Sequence, residues 1–428
     1  MAVATKTWSK AEIERLLAVE NFKYQDIALP HGLSTGGEDR SATARAIFPD
    51  DLSGKSVLDL GCSFGYFCFE AARRGARRVL GVDVDPDTIR KARLLADCLD
   101  AKVEFRLLNV EHERLVEDFD YILCLNLLHH LRNPLALLDE LIAHAQERLV
   151  LEVAGLGFHD RRKLAVSALG HFFLARAPVI FVGRNGTSGR FSGQKFFITP
   201  TALSHLLVYQ RNSFAQLRQL PSEHKGRYIV IAEKRRIDDL VVVAGPTTSG
   251  KSWLIERLRA GQEPGLCGRL GMGDGRSWPA MNAFDLLEPQ APHLARLLFH
   301  YDTLRPLMRS AHVHARDEAL DILTGARRAR VLTIWHPPDL LLEQFEQAEI
   351  RPKTKGGVFK GNKRKTRIHA MYRDPQQIVA HYREWFEFCR ARHLEVLVVL
   401  PRDGMRCLSV DEWERTQVGR PLAGRGSS

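Results

Sequence analysis

From Lys55 onward, short apolar runs alternate with segments whose apolar residues recur at helical spacing. In order these are SVLDLG, FGYFCFEAARRGA, RRVLGVD, PDTIRKARLLADCL, KVEFRLLN, FDYILCLN, a Pro-initiated segment from Pro134 to Gln146, and RLVLEVA. The short runs read as buried strands and the segments between them as helices, so the pattern predicts five strands paired in parallel through right-handed crossovers. Between 160 and 195 the pattern changes to a basic helix candidate and the Gly/Ser-rich stretch GRNGTSGRFSGQK. ITPTALSHLLVYQ then resumes a helix, and FAQLRQLPSEHKGRYIVIAEKR reads as two strands around a turn, so the sheet closes on an antiparallel hairpin.

A second pattern starts after Lys234, Arg235 and Arg236. DDLVVVAGPTTSGKSWLIERLRAG reads as a buried strand, a glycine-bearing loop and a helix, which is how an α/β domain begins. Further strands are predicted at ARLLFHYD, ARVLTIWH and LEVLVVLP, with helices over 339–349 and 375–393. The expected organisation is a helical extension over 1–39, an α/β domain over 40–235, a second parallel α/β domain over 238–418, and a disordered Gly/Arg/Ser-rich tail over 419–428.

Composition narrows this picture. With 45% apolar and 26% charged residues among 428, the chain is neither disordered nor fibrous. The formal charge of +11 is local: residues 1–150 sum to −5 (19 basic, 24 acidic), 151–236 to +10 (14 and 4), and 237–428 to +6 (29 and 23). The segment RPKTKGGVFKGNKRKTR, 351–367, alone carries eight basic residues and no acid. Seven cysteines without a C-x-x-C pair fit neither a disulfide framework nor a zinc knuckle, and with no signal-like apolar stretch at the N-terminus a cytoplasmic setting is expected. Ala165–Val182 comes nearest to a spanning helix, but His171, Arg176 and Pro178 interrupt it. A core or lid helix is the expectation, with peripheral membrane contact as the alternative.

The first candidate site is Asp59-Leu60-Gly61-Cys62-Ser63-Phe64-Gly65, which follows a strand and opens a helix. Its glycines allow close backbone approach, and the helix start offers free N–H groups. Asp83 ends the next strand, where a carboxylate can accept both hydroxyls of a ribose. The spacing D-x-G-x-S-x-G and the closing hairpin argue against a dinucleotide enzyme. Here the chain resembles the class I S-adenosylmethionine-dependent methyltransferases over about residues 1–235: VLDLGCSFGYF is similar to their first motif, GVD to the second, and LLNVE and FDYILCLNLLHHLRNP to the third and fourth. The resemblance implies a Rossmann-like seven-stranded sheet. It also implies Asp59, Gly61, Ser63 and Gly65 around the amino-acid end of S-adenosylmethionine, Asp83 on the ribose, Asn109 and Val110 at the adenine, and Asn126 beside the methyl donor. Ser63 departs from the family's usual middle glycine, and Asn109 replaces a frequent aspartate. Arg40 in GGEDR, GKSVLDLGCSFGYF, LHHLRNPLALL and FFITPTALSHLL look like the wobble-uridine tRNA carboxymethyltransferase group, whose cofactor is either ordinary or carboxylated S-adenosylmethionine. His129 and His130 are candidates for a base or substrate contact, weighed against plain packing at a helix start. Methyl transfer needs alignment above all, worth roughly 7 to 11 kcal/mol, so it does not demand a general base.

The second candidate site is Gly245-Pro246-Thr247-Thr248-Ser249-Gly250-Lys251-Ser252, a G-x-x-x-x-G-K-[ST] loop between a strand and a helix. Its N–H groups, from Thr247 to Ser252, are placed to cradle phosphates, Lys251 to reach the β and γ oxygens of ATP or GTP, and the Ser252 hydroxyl to ligate Mg²⁺. Asp302 is the candidate second acid at the metal, with Asp274 as a competitor for a loop role. Arg364 and Arg367, in the basic segment, are candidates for a lid over the transferring group, against a plain solvated loop. The loop looks like that of small-substrate kinases and also that of tRNA prenyltransferases.

Together these readings describe a methyltransferase fused to a P-loop, kinase-like domain, acting on one glycan or small-molecule acceptor. Two alternatives are an RNA-modifying methyltransferase with nucleotide-dependent substrate handling, and a methyltransferase governed by a nucleotide sensor without turnover. Acceptor atom and oligomeric state are not encoded in any motif.

Overall fold

The computed structural model describes residues 8–157, 167–184, 194–208, 214–288, 290–304, 318–350 and 362–417. The Gly/Ser-rich stretch, the basic helix candidate over 158–166, residues 351–361 and the tail fall partly or wholly outside them. The chain divides into two compact units, residues 1–234 and 235–428.

The first unit begins with α1 (Lys10–Val19), started by a reciprocal cap in which the Glu12 N–H donates to Ser9 Oγ and the Ser9 N–H to Glu12 Oε2. A strap over 20–40 follows, tied by isolated bridges between Gln25 and Glu38 and between Ala28 and Ser34. Ile13, Phe22, Ile27 and Leu29 are buried in the same cluster as Val57, Phe67 and Ile89, so this extension shares the core of the unit. After α2 (Ser41–Ile47) the chain alternates β1 (Ser56–Leu60), α3 (Tyr66–Arg73), β2 (Arg78–Asp83), α4 (Pro86–Leu99), β3 (Glu104–Leu107), β4 (Phe119–Leu125), α5 (Pro134–His144) and β5 (Ala145–Ala154). An insertion follows, α6 (Ala168–Leu174) and the hairpin of β6 (Ile180–Arg184) with β7 (Gln194–Ile198). The unit ends with α7 (Pro200–Val208), β8 (Phe214–Pro221) and β9 (Arg227–Lys234).

The seven-stranded sheet has the order β3-β2-β1-β4-β5-β9-β8; its first five strands are parallel, and β9 runs antiparallel to both neighbours. Alternate residues of β1 feed opposite faces, Val57 towards α3 and α4, Leu58 towards α5, so the central strands are largely apolar on both faces, while the edge strands β3 and β8 carry exposed polar residues. The apolar run predicted at Ala165–Val182 is split between α6 and β6, with Leu169, Phe172, Phe173 and Val182 exposed. Among the described residues no helix is long and apolar enough to cross a membrane.

The second unit is built on β10 (Arg236–Gly245), α8 (Lys251–Arg259), α9 (Pro264–Arg269), β11 (Ala280–Asn282), β12 (His293–Asp302), β13 (Ala326–Ile334), α10 (Pro338–Ile350), α11 (Asn362–Tyr372), α12 (Pro375–Ala391), β14 (Glu395–Leu400), β15 (Arg406–Leu408) and α13 (Val410–Gln417). Its sheet runs β11-β12-β10-β13-β14-β15, with only β15 antiparallel. Tyr301, Trp335, Tyr382, Trp385, Phe386 and Trp413 fill one face; the Trp385 indole donates to Thr333 Oγ1 at 3.0 Å and the Tyr382 hydroxyl to the Ile334 carbonyl at 2.7 Å.

At the boundary of the two units β9 ends at Lys234 and β10 starts at Arg236, and Arg235 between them is buried with its guanidinium donating to the Leu286 carbonyl at 3.2 Å. The reading of the basic segment as a plain solvated loop needs correction over its second half, since α11 begins at Asn362 and includes Arg364 and Arg367.

Candidate functional site

The carboxyl ends of β1, β2, β4 and β5 meet at one edge of the first sheet. After β1 the chain turns through three left-handed residues, Gly61 (φ 72), Ser63 (φ 52) and Gly65 (φ 91). A Cβ on Gly65 would stand 2.5 Å from the Phe105 ring, so glycine is required there on two counts. Ser63 accepts the left-handed conformation, which costs an L-residue about 1–2 kcal/mol. Its N–H donates to Asp83 Oδ2 at 3.1 Å, while Asp83 Oδ1 accepts the Asp85 N–H at 3.1 Å. The loop is therefore held against the acid that ends β2, and burial pushes the Asp83 carboxyl above its usual range. Leu108 donates to the Asp83 carbonyl at 3.0 Å, which brings Asn109 and Val110 alongside β2; the Asn109 side chain folds back to accept the Glu111 N–H.

Beside this turn is a narrow cleft lined by Asp59, Gly61, Asn126, Glu152 and Arg40, and by Tyr24 and Gln25 from the strap. Asp59 is buried, contacted by the Cys68 thiol at 3.7 Å, and desolvation raises its carboxyl to about 7. Asn126 is left-handed (φ 61), donates from its amide to the Tyr24 hydroxyl at 3.3 Å, and leaves its carbonyl oxygen buried with no hydrogen-bond partner. Arg40 donates to Glu152 Oε2 at 2.9 Å, with both side chains buried. The Ser222 hydroxyl and His224 complete that network on Glu152 and Arg40.

The two histidines separate. His129 is fully buried outside the cleft lining; its Nδ1 accepts the Ala154 N–H at 3.3 Å, and burial drives its pKa down to about 2, so it packs as a neutral ring. His130 is half-buried, its pKa lowered to about 4 by desolvation and then by Lys195 and Arg227. Glu152, Tyr24 and Gln25 are the cleft residues that motif reading misses. A lone acid inside the apolar run RLVLEVA is the available signal for Glu152; the strap residues carry none.

In the family comparison, residues 51–154 match a methyltransferase domain. Around it, the chain is 39% identical over 92 residues to a tRNA U34 carboxymethyltransferase of Campylobacter hominis, 21% of this chain and 32% of that one. It is 36% identical over 159 residues to a ubiquinone biosynthesis O-methyltransferase of Neisseria meningitidis, covering 36% of this chain and 63% of the relative. The chain thus spans about a third of the tRNA-modifying relatives it matches. The N-terminal domain of EvdMO1, solved with SAH and D-fucose, aligns to 54% of this chain and 98% of its own at 20% identity and a TM-score of 0.42.

In the second unit, Gly245–Ser252 joins β10 to α8. Thr248 (φ 65) and Gly250 (φ 86) are left-handed, and no side chain caps the α8 N-terminus. A Cβ on Gly245 would stand 2.5 Å from Ser249 Oγ. Lys251 is buried, with its ammonium donating to the Pro246 carbonyl at 2.6 Å, and desolvation lowers its pKa. Asp302 pairs in register with Gly245 and accepts the Thr247 hydroxyl at 2.7 Å and the Leu304 N–H at 3.0 Å. The Tyr372 hydroxyl donates to the Thr247 carbonyl, and His336 Nε2 lies 3.2 Å from the Ser249 carbonyl. Asp274 instead accepts the Arg276 N–H within its own turn. Arg367 is exposed on α11, and the Arg364 side chain lies outside the described residues. Ser252 and Asp302 share a cleft of about 490 Å³ with Asn282, Asp285 and His300.

Proposed function

We propose that the first unit is an S-adenosylmethionine-dependent methyltransferase and that the second binds ATP or GTP with Mg²⁺ on the loop Gly245–Ser252. The observation that carries the first part is the left-handed turn fastened to Asp83 through Ser63, next to a cleft holding the buried Asp59 and the unpartnered Asn126 oxygen. These groups fit the cofactor: Asp83 retains lone pairs for ribose hydroxyls, Asp59 suits an ammonium, and the turn's backbone can approach closely. S-adenosylmethionine supplies an electrophilic methyl on a sulfonium. The chain's own share is to bind, align and exclude water.

Asp83→Ala is expected to weaken S-adenosylhomocysteine binding at least tenfold by calorimetry; an unchanged affinity removes the ribose assignment. For the second unit, Lys251→Ala should abolish binding of a fluorescent ATP analogue, and retained affinity would show the phosphate site to be elsewhere.

The acceptor we favour is a glycan or small molecule. The tRNA-modifying relatives motivate RNA as a second reading, and the +10 of residues 151–236 is compatible with it. RNA binding would weaken steeply with salt, in proportion to the phosphates neutralised; a flat response excludes it. A nucleotide sensor without turnover is the remaining reading of the second unit, and ATP hydrolysis or transfer would exclude it.

A further inference from the structure

The cleft beside the phosphate loop has a composition that selects what can enter it. Its 490 Å³ lies within the range of small-molecule sites. One end is formed by Ser252 and Asp302, the residues placed at the metal and therefore at the end of the nucleotide where transfer occurs. The walls bring three carboxylates, Glu256, Asp285 and Asp302, against one guanidinium, Arg259. At the rim Phe284 is 70% exposed.

We propose that this cleft is the acceptor site of a phosphoryl transfer and that its acceptor is an uncharged or cationic, hydroxyl-rich small molecule such as a sugar or aminosugar. The assignment rests on the nucleotide-binding reading of Gly245–Ser252 and extends it. A nucleotide or sugar phosphate would need several Arg or Lys donors at close range, and here it would meet a lining of net negative charge. A hydroxylated ring finds acceptors in the carboxylates, donors in Arg259 and the Asn282 amide, and a flat apolar face for its C–H bonds in Phe284.

Asp285 is held in place: its Oδ2 accepts the Asn282 N–H at 2.7 Å, and Asn282 Oδ1 accepts the Phe284 N–H at 2.7 Å. In the step, an acceptor hydroxyl oxygen bonds to the γ-phosphorus while the bond from that phosphorus to the β,γ-bridging oxygen breaks. The nucleoside diphosphate leaves with the electron pair, and the hydroxyl proton passes to the Asp285 carboxylate and on to water.

The test uses the full chain with Mg²⁺ and γ-labelled ATP against uncharged sugars and polyols, aminosugars, sugar phosphates, nucleoside monophosphates and a single-stranded RNA. Label is expected only on the uncharged and cationic compounds. Asp285→Asn should lower kcat roughly 10²-fold with the affinity for a fluorescent ATP analogue within twofold of the parent, and Phe284→Ala should raise KM with kcat retained. Label on a sugar phosphate, a nucleoside monophosphate or the RNA overturns the assignment, as does ATP binding without label on any compound. Failure to bind ATP at all overturns the nucleotide reading itself, and the acceptor site with it.

Discussion

Glu152 has no exposed surface and holds Arg40 at 2.9 Å beneath the cleft, so each neutralises a charge that water cannot reach. Arg40 Nε also lies 3.5 Å from the carboxylate of Glu223, which is partly exposed and stays beside it when Glu152 is neutralised. Glu152→Gln is therefore expected to cost stability in chemical denaturation, by at most roughly 3–5 kcal/mol; a loss under about 1 kcal/mol would show that Glu223 compensates Arg40 by itself. Asp59 makes a pH prediction. Its folded pKa of about 7 lies above the ordinary 3.8, so the folded first unit holds a proton that the unfolded chain releases. Stability from this group is present below about pH 4 and falls as pH rises towards 7, and Asp59→Asn should flatten that dependence. If the carboxylate pairs with the cofactor's ammonium, S-adenosylhomocysteine should bind more tightly from pH 5.5 to 7.5, by up to about tenfold per unit below 7. A flat profile would detach Asp59 from the ligand. The placement of Asp59, Asp83 and Lys251 beside their glycine turns was legible because their spacing from the glycines is short and regular. Glu152 was not, because a strand's periodicity says which residues are buried and not which of them is paired.

The strap over 20–40 is the element whose role spacing could not disclose. It belongs to a segment that reads as a helical extension, yet Tyr24 and Gln25 line the cleft, and Gln25 Oε1 accepts the Tyr66 N–H at 3.3 Å across the start of α3. Here the cleft narrows to about 20 Å³, little more than one water requires, so a cofactor seated beside Asp59 would lie directly against the strap. S-adenosylhomocysteine should accordingly slow proteolytic cleavage within 20–40; equal cleavage rates with and without it would show the strap to be static. The element boundary that was misread has one cause: charge masked periodicity. In KRKTRIHAMY the basic residues suggest a loop, while Ile368, Met371 and Tyr372, buried at helical spacing, are what make α11 a helix. The central strands were clearer, because both their faces are covered and their runs, such as VVVA in β10 and YILCL in β4, are apolar.

Across the whole molecule, two sheets with separate cores and separate predicted ligands should respond separately. A thermal scan of the full chain is expected to resolve two transitions, one raised by S-adenosylhomocysteine and the other by Mg²⁺ with ATP, each in proportion to ligand concentration. If either ligand raised both transitions equally, the two units would be one cooperative system. The order of synthesis adds a consequence of the first sheet. β9, its last strand to be made, sits inside the sheet between β5 and β8. Until Arg227 and the residues after it are available, β5 presents an unpaired apolar edge, the kind that templates pairing with another chain. A nascent or truncated protein ending before β9 should therefore aggregate rather than survive as a partly active fragment, and the cell must translate through this stretch before the first sheet can close.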